Sequence, residues 1–308
     1  MRAPEELYEV VTDLGDVPRG LDLVAGLTGF ADAGSVVTQL GEHLLDALAS
    51  RELVRFDNDA LLDYRSRRPV MTFDQTHLTE FRPQQLALHL VDDELGKPFL
   101  LLTGYEPDLK WERFTAAVLG LIDRLGVART TWLHAIPMPV PHTRPIRVTV
   151  SGNRADLTEA MSIWRPTTQL PGTAMHLLEY RLQESGHEVA GFVILVPHYL
   201  GDTTYPAAAV TALESLTAAT GLVFPTDELR EEGREFLGRI EEQVSGNAEL
   251  ERLIDSLERR HDSYLEDNPL PSLLTDSEGG LPTADEIADE LQKFLAFRRD
   301  EGEPGSLG

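Results

Sequence analysis

Residues 189–196 read Val-Ala-Gly-Phe-Val-Ile-Leu-Val, a run with no polar side chain. Alternate residues of a strand face opposite sides of a sheet, so such a run is stable only where both faces are covered. This suits a central buried strand, with helices above and below. Leu21 to Leu27 also reads as a strand, and Gly-bounded Thr28 to Gly34 leads on to a helix. That helix spaces Val36, Val37, Leu40, Leu44, Leu45 and Leu48 at helical intervals, with Asp32 and Ser35 available as capping side chains. A second helix over 111–125 lines up Phe114, Val118, Leu121, Ile122 and Leu125. Others are expected over 174–185, capped by Gly186, and over 206–220, stopped by Gly221. Between them fall β-rich runs at 52–56, 70–73, 85–91, 98–102, 130–136 and 146–150, the last alternating as if one face were wet. Residues 92–97 read as a hairpin loop. This alternation predicts an α/β domain over residues 1–225, with a mostly parallel sheet covered on both faces.

The character changes at Thr226. Leu229, Phe236, Leu237, Ile240 and Val244 keep a helical rhythm, which breaks at Ser245-Gly246-Asn247 and resumes at Leu250, Leu253, Ile254, Leu257, Tyr264 and Leu265. This predicts a helical hairpin over 226–266 with a narrow apolar seam, packed within the chain or on another subunit. Residues 267–308 read as a linker, a short amphipathic helix over 283–299 opened by Thr283 and Glu286, and a disordered tail. Residues 226–308 hold 23 Asp and Glu against 9 Lys and Arg, more than half of the chain's net −25. That segment reads as a solvated helical appendage, or alternatively as an acidic interaction element. The overall charge repels phosphate backbones and argues against nucleic acid as a partner. With no cysteine, thiolate metal sites and cysteine nucleophiles are excluded. No apolar run approaches the ~20 residues that cross a bilayer. The N-terminus resembles neither a signal nor a transit peptide, so no membrane and a cytoplasmic location are expected.

Chemistry is sparse. Gly26-Leu27-Thr28-Gly29-Phe30-Ala31-Asp32-Ala33-Gly34 sits where a phosphate loop would, but fits neither the dinucleotide nor the Walker spacing, and Asp32 opposes an anion. It reads as a strand-to-helix turn. His142 with Arg144, and His198 with Tyr199, lie at the ends of expected strands, where α/β proteins hold ligands; hydrogen-bonded loop positions are the plainer reading. Asp92-Asp93-Glu94 reads as a solvated turn rather than a cation site. No zinc-hydrolase helix motif and no nucleophile elbow is present. The residues therefore offer no catalytic set, no metal site and no cofactor site.

Five segments together resemble the proteasome assembly chaperone 2 family. They are 29–34 (Gly-Phe-Ala-Asp-Ala-Gly), 63–69 (Asp-Tyr-Arg-Ser-Arg-Arg-Pro), 104–111 (Gly-Tyr-Glu-Pro-Asp-Leu-Lys-Trp), 141–145 (Pro-His-Thr-Arg-Pro), and 196–200 (Val-Pro-His-Tyr-Leu) with 205–208. The resemblance spans roughly 7–265. It implies a three-layer α/β/α sandwich with a mixed sheet, related to phosphorylases and some peptidases, carrying the C-terminal helical hairpin. It also implies homo-oligomers, a trimer among them, and a non-catalytic protein-binding role in assembly or scaffolding without ATP, with proteasome components as candidate partners. Archaeal relatives dock a tyrosine-bearing C-terminal motif that Gly305-Ser306-Leu307-Gly308 lacks. The alternative is an enzyme or binder of a small nucleoside-like or carboxylate ligand. The candidate ligand or interface residues on these loops are Phe30, Asp32, Arg65, Arg68, Glu106, Trp111, His142, Arg144, His198, Tyr199 and Tyr205. In an oligomer, Arg65, Arg67, Arg68 and Arg144 would meet carboxylates of a neighbouring subunit.

Overall fold

The computed structural model describes residues 3–163 and 167–267. In chain order its elements are β1 (Tyr8–Val10), β2 (Asp22–Thr28), α1 (Val36–Ala47), β3 (Ser50–Phe56), α2 (Asn58–Leu61), β4 (Val70–Asp74), β5 (His77–Arg82), β6 (Leu86–Asp92), β7 (Pro98–Tyr105) and α3 (Trp111–Leu125). Then follow β8 (Arg129–Met138), β9 (Val148–Gly152), α4 (Ala155–Met161), α5 (Ala174–Glu184), β10 (Glu188–Pro197), α6 (Pro206–Thr220), α7 (Asp227–Val244) and α8 (Ala248–Asp267).

Eight strands form one sheet in the order β1-β3-β6-β7-β2-β8-β10-β9. β7, β2, β8 and β10 lie side by side and run parallel. The outer strands attach antiparallel, so the sheet is mixed around a parallel core. Single strands supply both cores. On β2, Val24 enters a core shared with α1, α6 and α7, while Leu23 and Ala25 enter one shared with α3 and α5. On β7, Leu101 goes to the first core and Leu100 and Leu102 to the second. That two-sided burial is the physical source of the unbroken apolar runs, and it makes the three-layer sandwich.

The run at 189–196 is buried, but β10 stands next to the sheet's edge, between parallel β8 and antiparallel β9. Its burial comes from the helices rather than from a central place. The cap of α1 is also specific. Ser35 takes a left-handed conformation (φ 51°) and caps nothing, whereas Asp32 accepts from the amides of Val37 (2.8 Å) and Thr38 (3.0 Å) and from the Thr38 hydroxyl. In the C-terminal pair, α7 adds Leu229 and Phe236 to the core of α6. α8 buries Ile254 and Leu257. The expected linker, helix and tail from Asn268 onward lie outside the described residues.

β4 and β5 form a separate two-stranded sheet. Every residue of both strands is exposed, among them Val70, Met71, Phe73, Leu78 and Phe81. Phe73 and Leu78 lie directly opposite each other and share one face.

Candidate functional site

The carboxyl ends of the parallel strands carry most of the sequence-derived candidates, and they fall into two clusters. The first is built on Glu106, just past β7. Its carboxylate is buried and accepts from the amide of Ala174 at the start of α5 (2.6 Å) and from the amide of Phe30 after β2 (3.3 Å). A Cβ at residue 29 would lie 2.0 Å from Glu106 Oε2, so Gly29 is the residue that lets the carboxylate approach. Phe30 itself projects outward, 75% exposed. Beside it Arg67 bridges Asp108 (3.1 Å) and the Thr28 carbonyl, its guanidinium 5.9 Å from the Tyr105 ring centroid. Trp111 opens α3, its indole N–H donating to the Pro107 carbonyl. Arg65 and Arg68 are exposed on the segment entering β4. Two backbone hydrogen bonds tie the turn at Gly34 to the segment after β10: the Gly34 amide donates to the Gly201 carbonyl and the Tyr205 amide to the Gly34 carbonyl. The Tyr205 ring is buried against Phe236 of α7.

Glu106, Phe30 and Gly29 border a small cavity whose wall continues to Trp132, His134 and Thr173. Its volume of about 10 Å³ is room for one water. His134 and His176 meet there edge to face, 6.1 Å between ring centres. Burial pushes the His134 imidazole down to about 4, helped by neighbouring His176, and burial also lowers His176. His176 closes a capping box with Thr173 at the start of α5. Below them the buried Glu179 carboxylate accepts from Trp132 Nε1 (2.6 Å), Ser151 Oγ (2.7 Å) and Gln183 Nε2 (3.0 Å). Burial raises its carboxyl despite those donors.

His134, Thr173, His176 and Glu179 escaped the sequence reading. The available signals were Thr173 and His176 at capping-box spacing, and Glu179 in phase with Met175 and Leu182 on the apolar face of α5.

The second cluster lies on the loop after β8. Tyr199 Oη sits 2.7 Å from His142 Nδ1 and accepts the His142 amide (2.8 Å). Burial lowers the His142 imidazole. Arg144 does not reach outward: its guanidinium donates to Asp262 through Nε (2.9 Å) and Nη2 (2.7 Å), and to Glu258 through Nη1 (3.1 Å). Glu258 and Asp262 stand one turn apart on α8, so Arg144 clamps that helix to the sheet. Thr143 also donates to Glu258. The carboxylates that Arg144 meets are thus its own chain's. His198 is exposed and edges Tyr199. Among the described residues no group of His, Asp or Glu is placed to hold a metal ion.

Residues 26–244 match the model of the PAC2 family. The chain belongs to the PAC2 family. Among solved structures, its fold matches a Mycobacterium tuberculosis protein of unknown function at 43% identity and TM-score 0.79, covering 85% of this chain and 90% of that one. A Corynebacterium glutamicum protein of unknown function matches at 38% identity and TM-score 0.80, covering 85% and 98%. A Mycobacterium tuberculosis proteasome-assembly chaperone homologue shares the fold at 22% identity and TM-score 0.70, over 76% of this chain and all of that one (100%). No curated protein matches the chain. The PAC2 match takes in the first cluster, His142, Arg144, His198 and Tyr199 of the second, the β4–β5 hairpin and α7, and stops short of Glu258 and Asp262. Among the described residues no helix is long and apolar enough to cross a membrane.

Proposed function

We propose that the chain is a non-catalytic protein-binding module that serves the assembly or scaffolding of a larger complex, and that the β4–β5 hairpin is its docking arm. The observation that carries this reading is the hairpin itself. A two-stranded sheet is marginal in water unless something packs on it. This one leaves Phe73, Leu78 and Phe81 each more than half exposed. Such a surface is an aggregation hazard when free and an interface when covered. Arg65 and Arg68 flank it and supply charge for an acidic rim on the partner.

Membership of the PAC2 family and the fold shared with a proteasome-assembly chaperone homologue favour proteasome components as partners. Action without ATP is supported at α1, where Asp32 already holds the amides that a phosphate would need. At the Glu106 cluster the enzyme reading is disfavoured by the cavity there, whose about 10 Å³ leaves no space for a nucleoside. The same hairpin can also meet its counterpart on a second copy, giving a homo-oligomer in the cytoplasm.

The test is quantitative capture from a host lysate with the wild-type chain and with Phe73→Ser/Phe81→Ser. Burying one Phe is worth about 2 kcal/mol, so the pair should weaken partner recovery by about a hundredfold or more. Equal recovery by both chains overturns the docking arm. Recovery of partners unrelated to the proteasome, lost in the double variant, keeps the arm and overturns the partner.

A further inference from the structure

The β4–β5 arm is tied at its stalk to the carboxyl ends of β2 and β7. The amides of Asp108 (2.9 Å) and Leu109 (3.2 Å), just past β7, donate to the Leu61 carbonyl, and the Asp63 amide donates to the Asp108 carboxylate (2.8 Å). From the same stalk Arg67 reaches the Thr28 carbonyl, two residues before Phe30. Phe30 and Leu109 therefore stand at the foot of the arm, 75% and 48% exposed.

The register of the arm gathers its apolar side chains on one side. Phe73 faces Leu78, and Met71 shares that side two residues back. The register shift between Val70 and Thr72 leaves an extra residue in β5, Glu80 at φ 54°, which returns Phe81 to the same side. Among the described residues four non-glycine positions have positive φ, and three of them, Gln75, Glu80 and Lys110, lie on the arm or at its foot. Backbone of this kind costs energy and is met most often at functional sites. The arm is also too small to hold a partner alone. A specific interface takes about 20–30 residues from each side, and β4 and β5 offer one face of five and six residues. A stable contact therefore runs on past the arm, and the adjoining exposed apolar residues are Phe30 and Leu109.

The charge at the foot says what kind of surface fits. Arg65, Arg68 and Lys110 are exposed there with no carboxylate partner among the described residues, while Asp108 is taken by Arg67. They form a basic rim on a chain of net charge −25. Taking the hairpin as the docking arm, we propose that its partner also covers the strand ends at Phe30 and Leu109, and that this partner is a different protein presenting an apolar patch rimmed by carboxylates. The patch lies on the arm's apolar side and on Phe30 and Leu109. Its carboxylates meet Arg65, Arg68 and Lys110. Foot to foot, two copies of this chain would set those cations against one another.

The probe is p-benzoylphenylalanine, placed singly in the full chain at the position of Phe30, Leu109, Phe73 or Leu95 and irradiated in the captured complex. Leu95 is 78% exposed but precedes β7, at the opposite end of the sheet. The positions of Phe30, Leu109 and Phe73 should crosslink to one and the same partner chain, and that of Leu95 should not. Phe30→Ser/Leu109→Ser should lower partner recovery by about tenfold or more, and Lys110→Glu by about tenfold. All of these positions are exposed, so the variants keep the fold. Crosslinks from Phe73 without Phe30 and Leu109, equal crosslinking from Leu95, or unchanged recovery with Phe30→Ser/Leu109→Ser would overturn the foot and leave the arm standing. Unchanged recovery with Lys110→Glu, or crosslinks to a second copy of this chain, would overturn the acid-rimmed partner. No crosslink from any position, Phe73 included, would overturn the docking arm and this inference with it.

Discussion

His134 and Glu106 sit on one small cavity and illustrate how single residues hold the strand ends together. The His134 imidazole titrates near 4 in the fold, against about 6.5 in an unfolded chain. The unfolded chain therefore takes up a proton that the fold refuses. The resulting stability is complete above about 6.5 and is lost as the pH falls toward about 4, by roughly 2–4 kcal/mol. Urea unfolding across that window should show the slope in the wild type, and His134→Gln should flatten it. Glu106 works differently, since its two acceptor oxygens serve two amides from separate segments. Glu106→Ala leaves both amides without their acceptor beside a buried space and should cost about 2–4 kcal/mol in denaturant unfolding. Phe30→Ala, which removes an exposed ring, should cost less than about 1 kcal/mol. Asp32 and Glu106 were legible from sequence as candidates because acids at strand ends stand out. Their partners were not legible, because a carboxylate that caps an amide and one that awaits a ligand look alike in one dimension.

At the scale of elements, the helix α8 depends on a fork. Hydrogen bonds from Arg144 hold the Asp262 carboxyl down to about 2, below the 3.8 of an unfolded chain. A depressed carboxyl contributes stability that is present above about 3.8 and lost as the pH falls through about 2. Amide exchange of residues 248–267 should accelerate over that window in the wild type. In Arg144→Ala it should already be fast at neutral pH, while the exchange of β8 and β10 stays slow. The helices α1, α3, α5 and α6 and the strands of the parallel centre were readable because each buries an apolar face and so prints its period into the sequence. β5 and α4 printed none: β5 is exposed throughout, and α4 buries only Leu157. β1 has three residues, too few to show a period. The clamp of Arg144 on α8 joins residues more than 110 positions apart, a pairing that no local pattern encodes.

For the molecule as a whole, a strongly acidic chain keeps itself soluble by repulsion and yet carries an uncovered apolar arm. Those two facts fit a protein that stays apart from unrelated neighbours until a matching surface covers the arm. The sequence showed a β-rich run at 70–73 but not its exposure, since exposure reflects what the rest of the sheet fails to cover. The account rests on that arm becoming covered. Its most direct test is hydrogen exchange of residues 70–82, compared between the free chain and the chain in its captured complex. Slowing by about tenfold or more on complex formation, absent from Phe73→Ser/Phe81→Ser, is the predicted result. A stable complex in which those amides exchange as fast as in the free chain would contradict it.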